Sequence, residues 1–118
     1  MVPLRHFTRS EFDCRCCGRN DMKQDFLLKL DLARDAAGVP FRINSGFRCK
    51  KHNAAEGGTK MSSHLRGLAA DIAAENSPIR FKILMGLIMA GFTRIGIGPD
   101  FIHVDDDPEK PPRVAWLY

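Results

Sequence analysis

The chain has 118 residues, of which 44% are hydrophobic and 27% charged, and its formal net charge is +4. This balance is typical of a soluble globular protein, and the length predicts a single domain over residues 1–118 with one modest core. No apolar run is long enough to span a bilayer, so we expect no membrane insertion. Residues 1–6 lack the apolar core of a signal peptide, so we expect synthesis in a cytoplasm.

The first third of the chain predicts helical structure. Thr8 and Glu11 have the spacing of a capping box, which favours a short helical turn. Apolar residues recur at helical spacing over residues 22–37, so we predict a helix there whose buried stripe serves packing. Gly38 is a typical helix terminator, and Pro40 prevents continuation of the helix.

The rest of the chain predicts strands around one further helix. Residues 41–45 alternate apolar and polar side chains, as a half-buried strand does, and residues 49–60 are interpreted as a polar loop. The order of elements favours an α+β domain with a small antiparallel sheet and helices on one side. The other predicted elements are strands over residues 68–73, 94–97 and 101–105, an edge strand over residues 113–116, and a helix from Ser77, its cap, to Gly91.

Four cysteines have an irregular spacing that does not match the paired knuckles of a zinc ribbon. The sequence leaves three states open for them: a cysteine-rich metal site, a disulfide such as one to Cys49, or reduced thiols packed in a small cluster. The residues are Cys14, Cys16, Cys17 and Cys49.

Two histidines and an aspartate carry the strongest chemical signal. His64 precedes the predicted strand that contains Asp71, and small residues between them let the backbone turn closely around an ion. Alternation along residues 101–105 places His103 and Asp105 on the face of Phe101, opposite Ile102 and Val104. Two imidazoles and one carboxylate leave a fourth position open, which is the ligand set of a catalytic zinc site. Asp105 is placed to orient an imidazole.

These segments resemble the M15 zinc peptidases, a family that includes D-alanyl-D-alanine carboxypeptidases and the L-alanyl-D-glutamate endopeptidases of phage lysins. The resemblance covers roughly residues 7–105, and the short phage-lysin type is the most similar. It implies the fold that hedgehog signalling domains share with these peptidases. The matching stretches are Ser45-Gly46-Phe47-Arg48, His52-Asn53, Gly57-Gly58, Ser63-His64 with Gly67, Ala69 and Asp71, and His103-Val104-Asp105.

The resemblance implies a role for individual residues. His64, Asp71 and His103 match the zinc ligands of the family. Arg48 matches an arginine that contacts the substrate and stabilises negative charge on the attacked carbonyl. Ser63 matches a position that lines the substrate groove.

The general base of the family lies three residues before the last zinc histidine, which here is Asp100. On a straight strand Asp100 and His103 would face opposite sides, so the turn before Asp100 must bend the chain. Asp105 is the alternative base. His52 is interpreted as a loop or groove residue, and His6 receives no role.

We therefore expect a monomeric, zinc-dependent peptidase that hydrolyses peptidoglycan stem peptides as a carboxypeptidase or as an endopeptidase. Such a protein acts on the cell wall, and a phage or prophage lysis protein (an endolysin) fits its size. The alternative is a non-catalytic zinc-binding module of the same fold. A nucleic-acid binder, built on the cysteines and the basic surface, would leave the His and Asp set without a function, so we expect no nucleic-acid partner.

Overall fold

This computed structural model describes residues 3–118 of the chain, and that part contains three α-helices and five β-strands. Met1 and Val2, which belong to the segment interpreted as lacking a signal peptide, lie outside the described residues. The helices are α1 (Gln24–Ala37), α2 (Lys50–Ala55) and α3 (Ser77–Met89). The strands are β1 (Ile43–Ser45), β2 (Ala69–Ala73), β3 (Arg94–Ile97), β4 (Phe101–Asp105) and β5 (Val114–Leu117). Short 3-10 helices cover Arg9–Phe12 and Ser63–Arg66.

The five strands form one mixed sheet in the order β1-β2-β4-β3-β5. All neighbouring strands are antiparallel except β3 and β5, which are parallel. The prediction of an α+β fold is confirmed, but a purely antiparallel sheet is wrong for this last pair. The reason is that β2 and β3 already occupy both edges of β4, so β5 pairs with the free edge of β3 instead. The chain reverses after β4, and β5 therefore runs in the same direction as β3.

Helices α1 and α3 cover the apolar face of the sheet. Ile72 of β2 and Ile102 of β4 are fully buried in one core cluster with side chains of both helices. The helices approach each other closely at Gly86, where a Cβ atom would lie only 2.7 Å from the Cβ of Ala37. The opposite face of the sheet is left for polar side chains. No helix of the described part is both long and apolar enough to cross a membrane.

Most of the predicted helix and strand positions are confirmed, and β3 and β4 match their predicted bounds. Helix α1 ends at Gly38, whose φ of 70° is the left-handed conformation expected of a glycine cap. Its start is two residues later than the predicted residue 22, at Gln24, and β5 begins at Val114 rather than at residue 113.

Two local predictions were wrong. Asn76, not Ser77, caps α3, because its side-chain oxygen accepts the backbone N–H of Ile79 at 2.9 Å. The predicted polar loop over residues 49–60 contains helix α2, which begins after Cys49. The sulfur of Cys49 accepts the backbone N–H of His52 at 3.4 Å, a cap that propensity rules for oxygen side chains do not anticipate.

Candidate metal centre

One row of residues crosses the whole sheet on the face opposite the helices. The strand registers align Ser45 with Asp71, Asp71 with His103, His103 with Gly96, and Gly96 with Trp116. A Cβ atom on Gly96 would lie 2.6 Å from the indole nitrogen of Trp116, so the glycine leaves room for this ring. The Trp116 ring centroid is 5.6 Å from that of His103. Strand pairing thus brings distant polar residues into contact.

His64 is held by the short helix that precedes β2. The hydroxyl of Ser62 accepts the backbone N–H of His64 at 3.3 Å, and Gly67, with a φ of 70°, ends this helix. Nδ1 of His64 donates a hydrogen bond to the carbonyl oxygen of Gly46 at 2.8 Å. Because Nδ1 is used in this way, Nε2 faces the carboxylate of Asp71, with 3.4 Å between Nε2 and Oδ1. The buried ring is therefore fixed in one orientation.

His103 is held through Nε2, whereas His64 is held through Nδ1. Its Nε2 donates to Oδ2 of Asp105 at 2.7 Å, and its Nδ1 lies 2.9 Å from Oδ1 of Asp71. The predicted placement of Asp105 as an orienting residue is confirmed by this contact. One donor atom each of His64, Asp71 and His103 lies within 4.8 Å of the others.

This donor set fits a divalent cation such as zinc. Each imidazole has its outer nitrogen engaged with an oxygen acceptor and turns its inner nitrogen toward Asp71. Such outer hydrogen bonds are typical of histidines that bind metals, because they fix the tautomer and make the ligand nitrogen more basic. Three protein donors leave room for a further ligand at the open side of the group.

Burial and hydrogen bonding act in opposite directions on the charges of this group. Burial raises the pKa of Asp71, but hydrogen bonds with His103 and His64 outweigh it and hold the pKa well below its usual range. Burial likewise opposes the charge of Asp105, whose pKa is nevertheless lowered by His103 and Arg94. The pKa of His103 is raised because its bonds with Asp105 and Asp71 outweigh burial. The group thus holds two ionised carboxylates at neutral pH.

The candidate ligands His64, Asp71 and His103 are called the His–Asp group below. Two arginines flank this group. Nη2 of Arg48 donates to Oδ2 of Asp71 at 3.2 Å, and its Nε donates to the hydroxyl of Ser45 at 3.0 Å. On the other side, Nε of Arg94 donates to Oδ1 of Asp105 at 2.7 Å. The structure therefore brings Arg48 to the predicted ligands. Arg94 was missed, since only the pairing of β3 with β4 shows that it faces Asp105.

The His–Asp group lies in an open cleft of about 400 Å³. Trp116 and Tyr118 form an aromatic wall of the cleft. The sequence analysis missed this wall, because it predicted an edge strand over residues 113–116 and assigned no role to these side chains. Ser63 lines the cleft, and its role in binding substrate stays a prediction. Its buried hydroxyl contacts Asp107 and Lys110, both at 2.9 Å. Other lining residues are Arg48, Glu56, Gly57, Gly58, Thr59, Ser62, His64, Asp71, Arg94, Phe101, His103, Asp105 and Lys110.

The structure does not bring the predicted base into the cleft. Asp100 is exposed in the turn between β3 and β4, and it is not among the residues that line the cleft. Its role as base stays a prediction. Asp105, the alternative, is buried between His103 and Arg94. His52 lies in α2 near Glu56, and His6 pairs with Asp35 far from the cleft.

A family model described as Peptidase M15 matches residues 5–105, a span that contains His64, Asp71 and His103. The chain belongs to the peptidase M15 family. This confirms the resemblance found in the sequence, and it supports a peptidase. M15 peptidases are generally metal-dependent, and the His–Asp group supplies the candidate metal ligands. No curated protein matched the chain.

Proposed function

We propose that the chain is a zinc-dependent peptidase that hydrolyses peptidoglycan stem peptides. The observation that carries the proposal is the convergence of His64, Asp71 and His103 at the floor of an open cleft. Imidazole nitrogens suit borderline metals such as Zn²⁺, and two histidines with one carboxylate are one of the three-ligand sets of catalytic zinc sites. Membership of the M15 family supports a peptidase with such an ion.

Zinc bound by these residues would supply Lewis acidity and a water acidic enough to attack an amide near neutral pH. The protein's own residues do the rest. Asp105 holds the imidazole of His103 in position, and Gly46 holds that of His64. Arg48 is only 13% exposed, and its guanidinium faces the ligand carboxylate of Asp71. A fixed positive charge there stabilises the oxyanion that develops on the attacked carbonyl.

Proton transfer needs a titratable side chain near the scissile bond. We propose Asp100, which is exposed on the turn between β3 and β4, for this role, as the family resemblance implies. Asp105 is less suited, because both of its oxygens already accept hydrogen bonds from His103 and Arg94.

The cleft has the character expected for a short charged peptide. Its basic residues Lys110, Arg94 and Arg48 are matched in number by the acidic Glu56, Asp71 and Asp105, and its wall also contains Trp116 and Tyr118. Bound zinc would add the positive charge that attracts the free carboxylates of a stem peptide. We propose that the protein works on the cell wall as a monomer, in the manner of a phage or prophage lysis protein, with neither nucleic acid nor a membrane as partner.

The test is to incubate the zinc-loaded protein with purified stem peptides and to identify the products by mass. Loss of a terminal D-alanine identifies a carboxypeptidase, and a split after L-alanine identifies an endopeptidase. An intact peptide, together with one zinc ion at the His–Asp group, contradicts the proposal. The Asp71→Asn variant is the matched control, because it removes a charged ligand while keeping the side-chain shape.

A non-catalytic zinc-binding module is the second candidate. The exposed position of Asp100, outside the cleft, favours it, because a peptidase needs a base beside the scissile bond. The two candidates differ in one outcome. Both bind zinc through His64, Asp71 and His103, but only the peptidase releases a product.

A further inference from the structure

A second group of metal-ligating side chains lies outside the cleft. Sγ atoms of four free cysteines lie within 4.8 Å of one another. Two sequence segments supply them: the loop after the first 3-10 helix and the residue that caps α2. This cysteine cluster consists of Cys14, Cys16, Cys17 and Cys49.

The distances between the sulfurs of the cysteine cluster are in the range expected for ligands of one metal ion. Sγ of Cys16 is 3.9 Å from that of Cys14 and 3.3 Å from that of Cys49. Zinc with four thiolate ligands at about 2.3 Å places the sulfurs roughly 3.8 Å apart at the corners of a tetrahedron. A single disulfide would join only two of the four cysteines and would leave the other two thiols in contact with it.

Backbone groups point at the sulfurs in the way expected for thiolates. The N–H of Cys49 donates to Sγ of Cys14 at 3.4 Å, and the N–H of His52 donates to Sγ of Cys49 at 3.4 Å. The loop that carries the other ligands is closed by a hydrogen bond from the N–H of Gly18 to the carbonyl oxygen of Cys14 at 2.8 Å. Gly18 has a φ of 76°, so the tight turn requires glycine.

The charge around the cysteine cluster is complementary to a metal–thiolate group. Four thiolates around one divalent cation carry a net charge of −2. Basic residues flank both segments and favour this charge. They are Arg15, Arg19, Lys50 and Lys51.

We propose that Cys14, Cys16, Cys17 and Cys49 bind one zinc ion in a closed, tetrahedral structural site. Four protein ligands leave no position for water, so this ion differs in kind from the one proposed in the cleft. The site joins the amino-terminal loop to the start of α2. Arg48 directly precedes Cys49, so it is next to this junction. A backbone hydrogen bond also joins the two segments, since the N–H of Phe47 donates to the carbonyl oxygen of Phe12 at 2.9 Å. The proposal does not depend on peptidase activity.

The first test is metal content and cobalt spectroscopy of the full chain, purified and kept under reducing conditions. Wild-type protein should bind two zinc ions. When Co²⁺ replaces zinc, the protein should show a near-ultraviolet sulfur-to-cobalt charge-transfer band, which histidine and aspartate ligands do not produce. One bound ion and no charge-transfer band would overturn the proposal.

Variants assign the ions to the two sites. The Cys16→Ser/Cys17→Ser double variant, at two exposed positions, should lose one ion and the cobalt–sulfur band. The His64→Ala variant should lose the other ion and keep the band. Lys82→Ser, an exposed substitution on α3 outside both groups of ligands, should keep both ions. Loss of no ion in the double variant would contradict the assignment.

Thiol reactivity of the wild type decides the matter if the double variant does not fold. In the zinc-loaded protein the four thiols should resist a disulfide reagent, and they should react together after a chelator is added. A protein mass lower by two hydrogen atoms, with two thiols missing from the titration in denaturant, would show a disulfide and refute the zinc site.

Discussion

Asp105 accepts a hydrogen bond from Nε2 of His103 at 2.7 Å, and this contact decides which nitrogen of His103 faces the candidate metal centre. The other nitrogen, Nδ1, is thereby directed at Asp71. The carboxylate of Asp105 is in turn held by Nε of Arg94 at 2.7 Å. A buried carboxylate that accepts hydrogen bonds from two side chains is a rigid support for a ligand imidazole.

Asp105→Asn should weaken zinc binding at the His–Asp group by about 10- to 100-fold, because the orienting hydrogen bond of His103 is weakened. Competition with a chromophoric chelator measures the affinity. Asp106→Asn is the matched control, since Asp106 is the next residue and contacts Lys29 rather than a histidine. Equal affinities of the two variants would show that Asp105 does not support the ligand.

Arg48→Ala should lower kcat for peptide hydrolysis by about 10²–10³-fold, the usual effect of removing one oxyanion-stabilising donor. Zinc content should stay unchanged, because Arg48 is not a ligand. The rate and the metal content are measured on the same sample. Arg42→Ala is the control, since Arg42 is exposed and pairs with Glu75. Normal turnover of the Arg48→Ala variant would remove this residue from the mechanism.

Asp100→Asn should lower kcat by about 10²–10⁴-fold, the range typical of a general base or acid. The metal content and the folded structure should not change, because Asp100 is exposed. Steady-state rates with a stem peptide provide the measurement. If this variant keeps full activity, the base must be another group, and the turn that carries Asp100 has only a structural role.

Gly86→Ala should lower the free energy of unfolding by about 1–3 kcal/mol, the range for overpacking a close contact. The added methyl group would meet the backbone of Ala33 and the Cβ of Ala37, so α1 and α3 must separate. Urea unfolding measures the change. Ile88→Ala, at a position that is 64% exposed on the same helix, should change stability far less. Equal effects would mean that the helices do not depend on this approach.

Asp35 provides a test of pH dependence far from the cleft. A hydrogen bond with His6, assisted by the charge of Arg5, lowers the pKa of Asp35. A lowered folded-state pKa contributes stability above the unfolded value of about 3.9, and this is lost as pH falls through the folded value. Asp35→Asn should therefore destabilise the protein at pH 6, and this effect should shrink as the pH falls below the unfolded value. A destabilisation in urea unfolding that stays the same as the pH falls would contradict the pairing.

The candidate ligand group was predictable in part, because Asp71 and His103 stand at strand positions whose side chains alternate reliably, whereas His64 lies in the short helix before β2. His103 and Asp105 share a face by simple alternation, and apolar Ile102 fixes which face is buried. Asp71 reaches them only because β2 pairs with β4 in the register that aligns Asp71 with His103. The sequence did not predict that pairing, and the family resemblance supplied only the match of Asp71 to a zinc ligand.

The rest of the cleft depends on contacts that local sequence patterns do not encode. Trp116 reaches His103 because β5 adds to β3 in parallel and because Gly96 has no side chain. Arg94 was treated as an ordinary strand residue, although its guanidinium binds Asp105. Helix α2 was missed because it is short and is capped by the sulfur of Cys49 rather than by an oxygen.

Removal and return of the metal test the central claim most directly. The full chain is treated with a chelator, zinc is added back in steps, and stem-peptide hydrolysis is followed in the wild type and in Asp71→Asn. We predict that hydrolysis stops with the chelator, returns with zinc in the wild type, and does not return in the variant. Hydrolysis that continues in the chelated protein, or that zinc restores equally in Asp71→Asn, would contradict the account.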